Sequence, residues 1–175
     1  MNTYTWRAAT GADVSSIVRM AEQHFQTEID TIFTPDPVAY SRNITLAVVN
    51  QFYTPTLELV SVATDAEGKL LAYTWCRNLE RAAWSDDVMI VVRMAHVGLD
   101  QSSRQRIKLV SDMFTLWENW AIYCKTPIIC STTMRKDQAA FLRLHERHGY
   151  DVRGSYAYKK VDTIQATPAN SLNLS

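Results

Sequence analysis

Residues 88–99, VMIVVRMAHVGL, constrain the fold more than any other segment. The run is rich in β-branched residues, whose crowded Cβ favours extended backbone. A strand with one wet face alternates apolar and polar side chains. Here apolar residues fall at odd and even positions alike, so the strand needs a covering layer on both faces and belongs in the middle of a sheet. The next segment, from about Ser103 to Lys125, has helical periodicity, and Ile107, Val110, Phe114, Trp117 and Ala121 form its expected buried stripe. PIICSTTM (127–134) then reads as another buried strand. A strand, helix and strand in this order cross over right-handed and give one parallel pair.

The remaining elements fit around that unit. TYTWRAA (3–9) is a short first strand. Gly11 and Asp13 open a helix whose apolar face is Val14, Ile17, Val18, Ala21 and Phe25. A loop over 27–36 leads to a second helix, with Asp36 as N-cap and Pro37 at the first helical position, running to Asn50 and ended by Tyr53-Thr54-Pro55. Strands 57–65 and 69–78 make a hairpin through Ala66-Glu67-Gly68. Leu79 to Ser85 is a polar connection. Asp137 to His148 is a helix that stops at Gly149, a residue suited to the left-handed C′ position. Residues 151–161 are a final strand and 162–175 a polar tail. The order β-α-α-β-β-β-α-β-α-β predicts an α/β fold, a mixed central sheet with helices on both faces, in one domain over 1–161.

Lys plus Arg and Asp plus Glu both number 18, so the formal net charge is zero. A dedicated nucleic-acid binder needs a positive surface to displace counterions, so nucleic acid is an unlikely partner. No apolar run approaches the ~20 residues of a membrane-spanning helix, and the first residues lack a signal-peptide pattern. With Cys76, Cys124 and Cys130 read as buried free thiols, the expectation is a cytoplasmic protein.

The segment FLRLHERHGYDVRGSYAYKKV (141–161) resembles the last helix, the helix-ending Gly-aromatic pair (here Gly149-Tyr150) and the following strand of the GNAT superfamily of acyl-CoA-dependent N-acetyltransferases. The order of elements over residues 3–161 is similar to that family as well. The resemblance implies direct acetyl transfer from acetyl-CoA to an amine on a small molecule or protein, without a metal. In the family a Gln/Arg-x-x-Gly-x-Gly/Ala loop after the central strand holds the cofactor pyrophosphate on backbone amides and a helix N-terminus. The matching residues are Gln101, Ser102, Ser103, Arg104, Gln105 and Arg106, with arginine at both small positions. Two readings are open. Arg104 and Arg106 meet the phosphates with charge-assisted bonds, or Ser102 and Gln105 close a capping box and the arginines stand in solvent or fill the site.

A family tyrosine that protonates the departing thiolate is matched by His145, four residues before Gly149. Histidine can carry a proton near neutral pH. The family's strand glutamate, a general base, has no counterpart in 88–99, and His96 is the best candidate there. For both histidines the alternative is a buried ring bonded to the backbone or core. Ser131, Thr132 and Thr133 are candidate contacts to a pantetheine arm. His145-Glu146-Arg147-His148 lacks the i, i+4 spacing of a zinc motif. The departures leave a second function open: a catalytically inactive, glycine-poor protein of this fold, in the style of relatives in tailed-phage genomes. It would serve as an interaction or virion subunit with the tail as docking arm, or as a homo-oligomer.

Overall fold

In the computed structural model, which describes residues 4–27, 33–133 and 138–154, ten elements follow one another. They are β1 (Tyr4–Ala8), a 3-10 turn (Gly11–Asp13), α1 (Val14–Thr27), α2 (Pro37–Tyr53), β2 (Glu58–Asp65), β3 (Leu70–Arg81), β4 (Val88–Val97), α3 (Ser103–Cys124), β5 (Ile128–Ser131) and α4 (Ala139–Arg147). The strands lie side by side in sequence order, antiparallel except for the parallel pair β4 and β5. The expected mixed sheet with helices on both faces is the architecture found.

β4 serves two cores because it changes face partway along. Trp75 of β3 pairs with Met94 and its neighbour Cys76 with Val92, which leaves Arg93 as the extra residue of a bulge. Before the bulge Ile90 and Val92 point into the core under α3. After it Val97 points there, while Met94 and His96 turn toward α1 and α2. The α3 core is filled by Leu109, Met113, Phe114, Trp117, Trp120 and Ala121; the opposite core by Ile17, Met20, Ala21, Tyr40, Ile44, Val60, Val62 and Tyr73. Asp36 caps α2 as expected, its carboxylate accepting from the Val38 and Ala39 amides at 3.0 Å.

Several boundaries differ from the sequence expectation. Ile107 is 57% exposed and is not part of the buried stripe. The helical step of about 100° puts Ile107 roughly 90° from the centre of the arc that meets the sheet. β3 runs on to Arg81 instead of ending at 78, because Leu79 takes a left-handed φ of 65° and lets Glu80 and Arg81 pair again with Met89 and Val88. α2 continues to Tyr53, and β5 stops at Ser131. Residues 151–154 carry no strand; the rest of the expected last strand, the boundary at 161 and the tail lie outside the described residues, as does the helix start at Asp137.

Trp117 links the α3 core to the bulge. Its ring is fully buried, its Nε1 donates to Thr74 Oγ1 at 2.9 Å, and that hydroxyl donates to the Met94 carbonyl at 3.0 Å. Trp117→Ala removes a large core ring and leaves the Thr74 oxygen without its donor, so a loss of about 3–5 kcal/mol is expected. Urea unfolding checks it: the midpoint drops and the slope stays unchanged.

Candidate functional site

The feature that opens a site is the short contact between β4 and β5. They pair only over Met89–Val92 and Ile128–Ser131, so from the Arg93 bulge onward β4 has no partner on that edge among the described residues. α3 and α4 lie on the face toward which Val92 and Ser131 point. The resulting seam is bounded by the free half of β4, the end of β5, the first turn of α3 and the inner side of α4.

A tight turn prepares the start of α3. Gly98 donates to the Leu71 carbonyl at 2.8 Å, and Gln101 N donates to Gly98 O at 3.1 Å. A Cβ on Gly98 would lie 2.8 Å from Asp100 Oδ1, the far end of an exposed side chain that would have to move aside. Asp100 is paired with Lys69 at 2.6 Å and accepts from Gln101 Nε2 at 3.0 Å. These bonds hold its carboxyl below the ordinary carboxylate range. Gln101 is thereby turned back on its own loop. Ser102 is the N-cap and its Oγ accepts from Gln105 N at 3.3 Å; the return bond of a full capping box is absent. Among the described residues the Ser103 and Arg104 amides meet no acceptor. Ser102, Ser103 and Arg104 are exposed; Gln105 and Arg106 are half-buried.

His145 reaches from α4 into the core beside α3. Its ring is 3% exposed and is enclosed by Phe114, Phe141 and Tyr150. A carbonyl only accepts, so the 2.9 Å contact with Phe141 O puts the proton on Nδ1 and makes Nε2 a bare lone pair. Burial pushes the imidazole pKa down, partly offset by the Phe141 bond. Nε2 is one of four buried side-chain atoms without a partner among the described residues; the others are Gln105 Nε2, Ser131 Oγ and Tyr150 OH. Gln105 lies in the first turn of α3, Ser131 ends β5, His145 is on α4, and Tyr150 follows α4 near Glu118 of α3. An unpaired buried polar atom costs about 1–3 kcal/mol, so each of these calls for a partner.

His96 lies on the other side of the sheet. It is buried, its Nδ1 shares a hydrogen bond with Tyr73 OH at 3.0 Å, and it stacks on His24 with ring centres 4.3 Å apart. Tyr73 OH also bonds Tyr40 OH at 2.8 Å, so β4, β3, α1 and α2 are tied by one polar chain. The structure does not bring His96 and His145 together.

Sequence reading missed Glu58, a buried carboxylate at the start of β2. It accepts from Trp75 Nε1 at 2.8 Å and Arg77 Nη1 at 3.1 Å, and burial raises its pKa despite these bonds. Glu80 joins Arg77 to the bulge residue Arg93. The only signal was an acid at the head of a strand whose following residues include Leu59, Val60 and Val62.

No protein-family model and no curated protein matches the sequence. Solved structures do match the fold. One is a predicted acetyltransferase with acetyl-CoA from Clostridium acetobutylicum (TM-score 0.68, 11% identity, 90% of this chain and 96% of that one). Another is an aminoglycoside antibiotic 6'-N-acetyltransferase from Acinetobacter baumannii (0.63, 12%, 91% and 99%). A third is glucosamine-6-phosphate N-acetyltransferase from Arabidopsis thaliana (0.62, 12%, 91% and 99%). The chain has the fold of these acetyltransferases over almost its whole length.

The buried lone pair on His145 has a consequence for stability. The folded pKa lies below the unfolded value of about 6.5, so the unfolded chain binds more protons as pH falls past that value. The contribution of neutral His145 is present above pH ~6.5 and is lost as pH drops toward the folded pKa. Denaturation midpoints measured from neutral to mildly acid pH are expected to fall less steeply for His145→Gln than for the parent chain.

Proposed function

We propose that this protein transfers the acetyl group of acetyl-CoA to an amine, using the seam between β4, β5, α3 and α4. The observation that carries the reading is that α3, β5 and α4, the elements flanking the seam, each bear a buried polar side-chain atom without a partner: Gln105 Nε2, Ser131 Oγ and His145 Nε2. Two of them suit the pantetheine arm, which offers amide donors and acceptors: Gln105 Nε2 can donate and Ser131 Oγ can do either. The open Ser103 and Arg104 amides at the positive end of α3 suit a diphosphate. Arg104 and Arg106 add charge where the family relies on glycine, and Ser102 with Gln101 shapes the turn that presents the amides.

Bound acetyl-CoA would supply an activated thioester. The chain's task is then to place the amine and move one proton. His145 acts here as a shuttle. Its bare Nε2 accepts the proton released as the amine nitrogen bonds to the acetyl carbon, and gives it to the sulfur as the carbon–sulfur bond breaks. His96 supports this indirectly by fixing Tyr73 and the segment of β4 after the bulge.

A second reading, an inactive scaffold, is favoured by the two arginines in the first turn of α3 and by the lack of a carboxylate on β4. One experiment separates the two. Acetyl-CoA is expected to raise the melting temperature and, with a panel of primary amines, to release free thiol. His145→Gln is expected to cut kcat about 100-fold or more, the usual yield of acid–base catalysis, while acetyl-CoA affinity stays within a few fold. No thermal shift and no heat with acetyl-CoA would leave the scaffold reading standing.

A further inference from the structure

The turns that follow β2 and β4 meet at the pole where α3 begins, and one ion pair joins them. Asp65 closes the β2–β3 turn. Its carbonyl accepts from Gly68 N at 3.1 Å and its carboxylate from Lys69 N at 2.8 Å, while Gly68 takes a left-handed φ of 81°. The turn so fixed sends Lys69 Nζ across to Asp100 Oδ2 at 2.6 Å. Both side chains are open to water, 59% and 56% exposed, so the fold gains little from the pair.

Its placement matters more than its strength. Asp100 stands two residues before the N-cap Ser102 and three before the first of the Ser103 and Arg104 amides that meet no acceptor among the described residues. Three residues of chain span at most roughly 11 Å, about one Debye length at 0.1 M salt, so a charge on Asp100 is felt at those amides. The start of a helix favours an anion, and a bare carboxylate beside it works against one. Asp100 is nevertheless useful there, because it accepts from Gln101 Nε2 and steadies the turn. We infer that Lys69 is a positioning residue for the diphosphate of acetyl-CoA, an inference that rests on the function proposed above. Its ammonium cancels the charge of Asp100, so the carboxylate holds the turn without repelling the anion at the start of α3. The two partners therefore act on the cofactor with opposite sign. A pair that only ties two turns together gives both partners the same sign.

Titration calorimetry of the full chain with acetyl-CoA at low ionic strength tests this. Lys69→Met leaves Asp100 bare and is expected to weaken binding about five-fold, the Coulomb effect in water of one charge on a doubly charged diphosphate at ~9 Å. Asp100→Asn keeps an oxygen for Gln101 and leaves the Lys69 cation unopposed, so binding is expected to tighten by a similar factor. The double variant returns to the parent affinity, and about 0.5 M salt draws all four proteins together. Both single variants lose the same exposed pair, so their melting temperatures without ligand stay close to each other. Arg7→Met removes one positive charge from another exposed pair, on β1, three strands and about 14 Å from β4, and is expected to leave the affinity unchanged. If the parent binds and the Lys69 and Asp100 variants shift the affinity in the same direction, or not at all, this inference falls and the proposed function stands. If the parent gives no heat with acetyl-CoA, both fall together.

Discussion

One inserted residue in β4 sets the terms for the rest of the molecule. Were Arg93 paired in regular alternation, Ile90, Val92, Met94 and His96 would all face α3, and Met94 and His96 would not reach α1 and α2. With the bulge, the first half of β4 packs under α3 and the second half presents alternate residues to α1 and α2. The same irregularity coincides with the end of pairing to β5. A strand that is still twisting after its neighbour has left diverges from it, and a seam follows. The Thr74 hydroxyl, wedged between Trp117 and the Met94 carbonyl, fixes the backbone just past that point.

The parts of the fold legible in the sequence were those fixed by local rules. Pro37 after Asp36 named a helix start, and VMIVVRMAHV named a strand buried on both faces. What escaped was set by partners far along the chain. Ile107 has the right spacing for a core residue, yet the sheet takes the neighbouring arc of α3 defined by Leu109, Met113 and Trp117. β3 outruns its apolar pattern because a backbone irregularity, invisible in composition, restores its ladder. Glu58 was missed for a similar reason, since only the folded sheet shows that a tryptophan and an arginine wait to receive it.

The candidate site was legible as a place and less so as chemistry. Gln101 to Arg106 and His145 were named by position; in the fold the first group opens α3, and His145 packs on Phe114, further along the same helix. Their states were beyond the sequence. Gln101 is engaged by Asp100, Ser102 caps only in one direction, and His145 has its proton on the far nitrogen. Each depends on one backbone or side-chain acceptor. That is why the sequence places His145 on a helix but does not show that its Nδ1 faces the Phe141 carbonyl.

Leu79 supplies a last consequence. A leucine in left-handed backbone carries a conformational penalty of roughly 1 kcal/mol that glycine would escape. Its turn nevertheless keeps Glu80 and Arg81 in the ladder, so the reach of the hairpin past residue 78 rests on one strained backbone position.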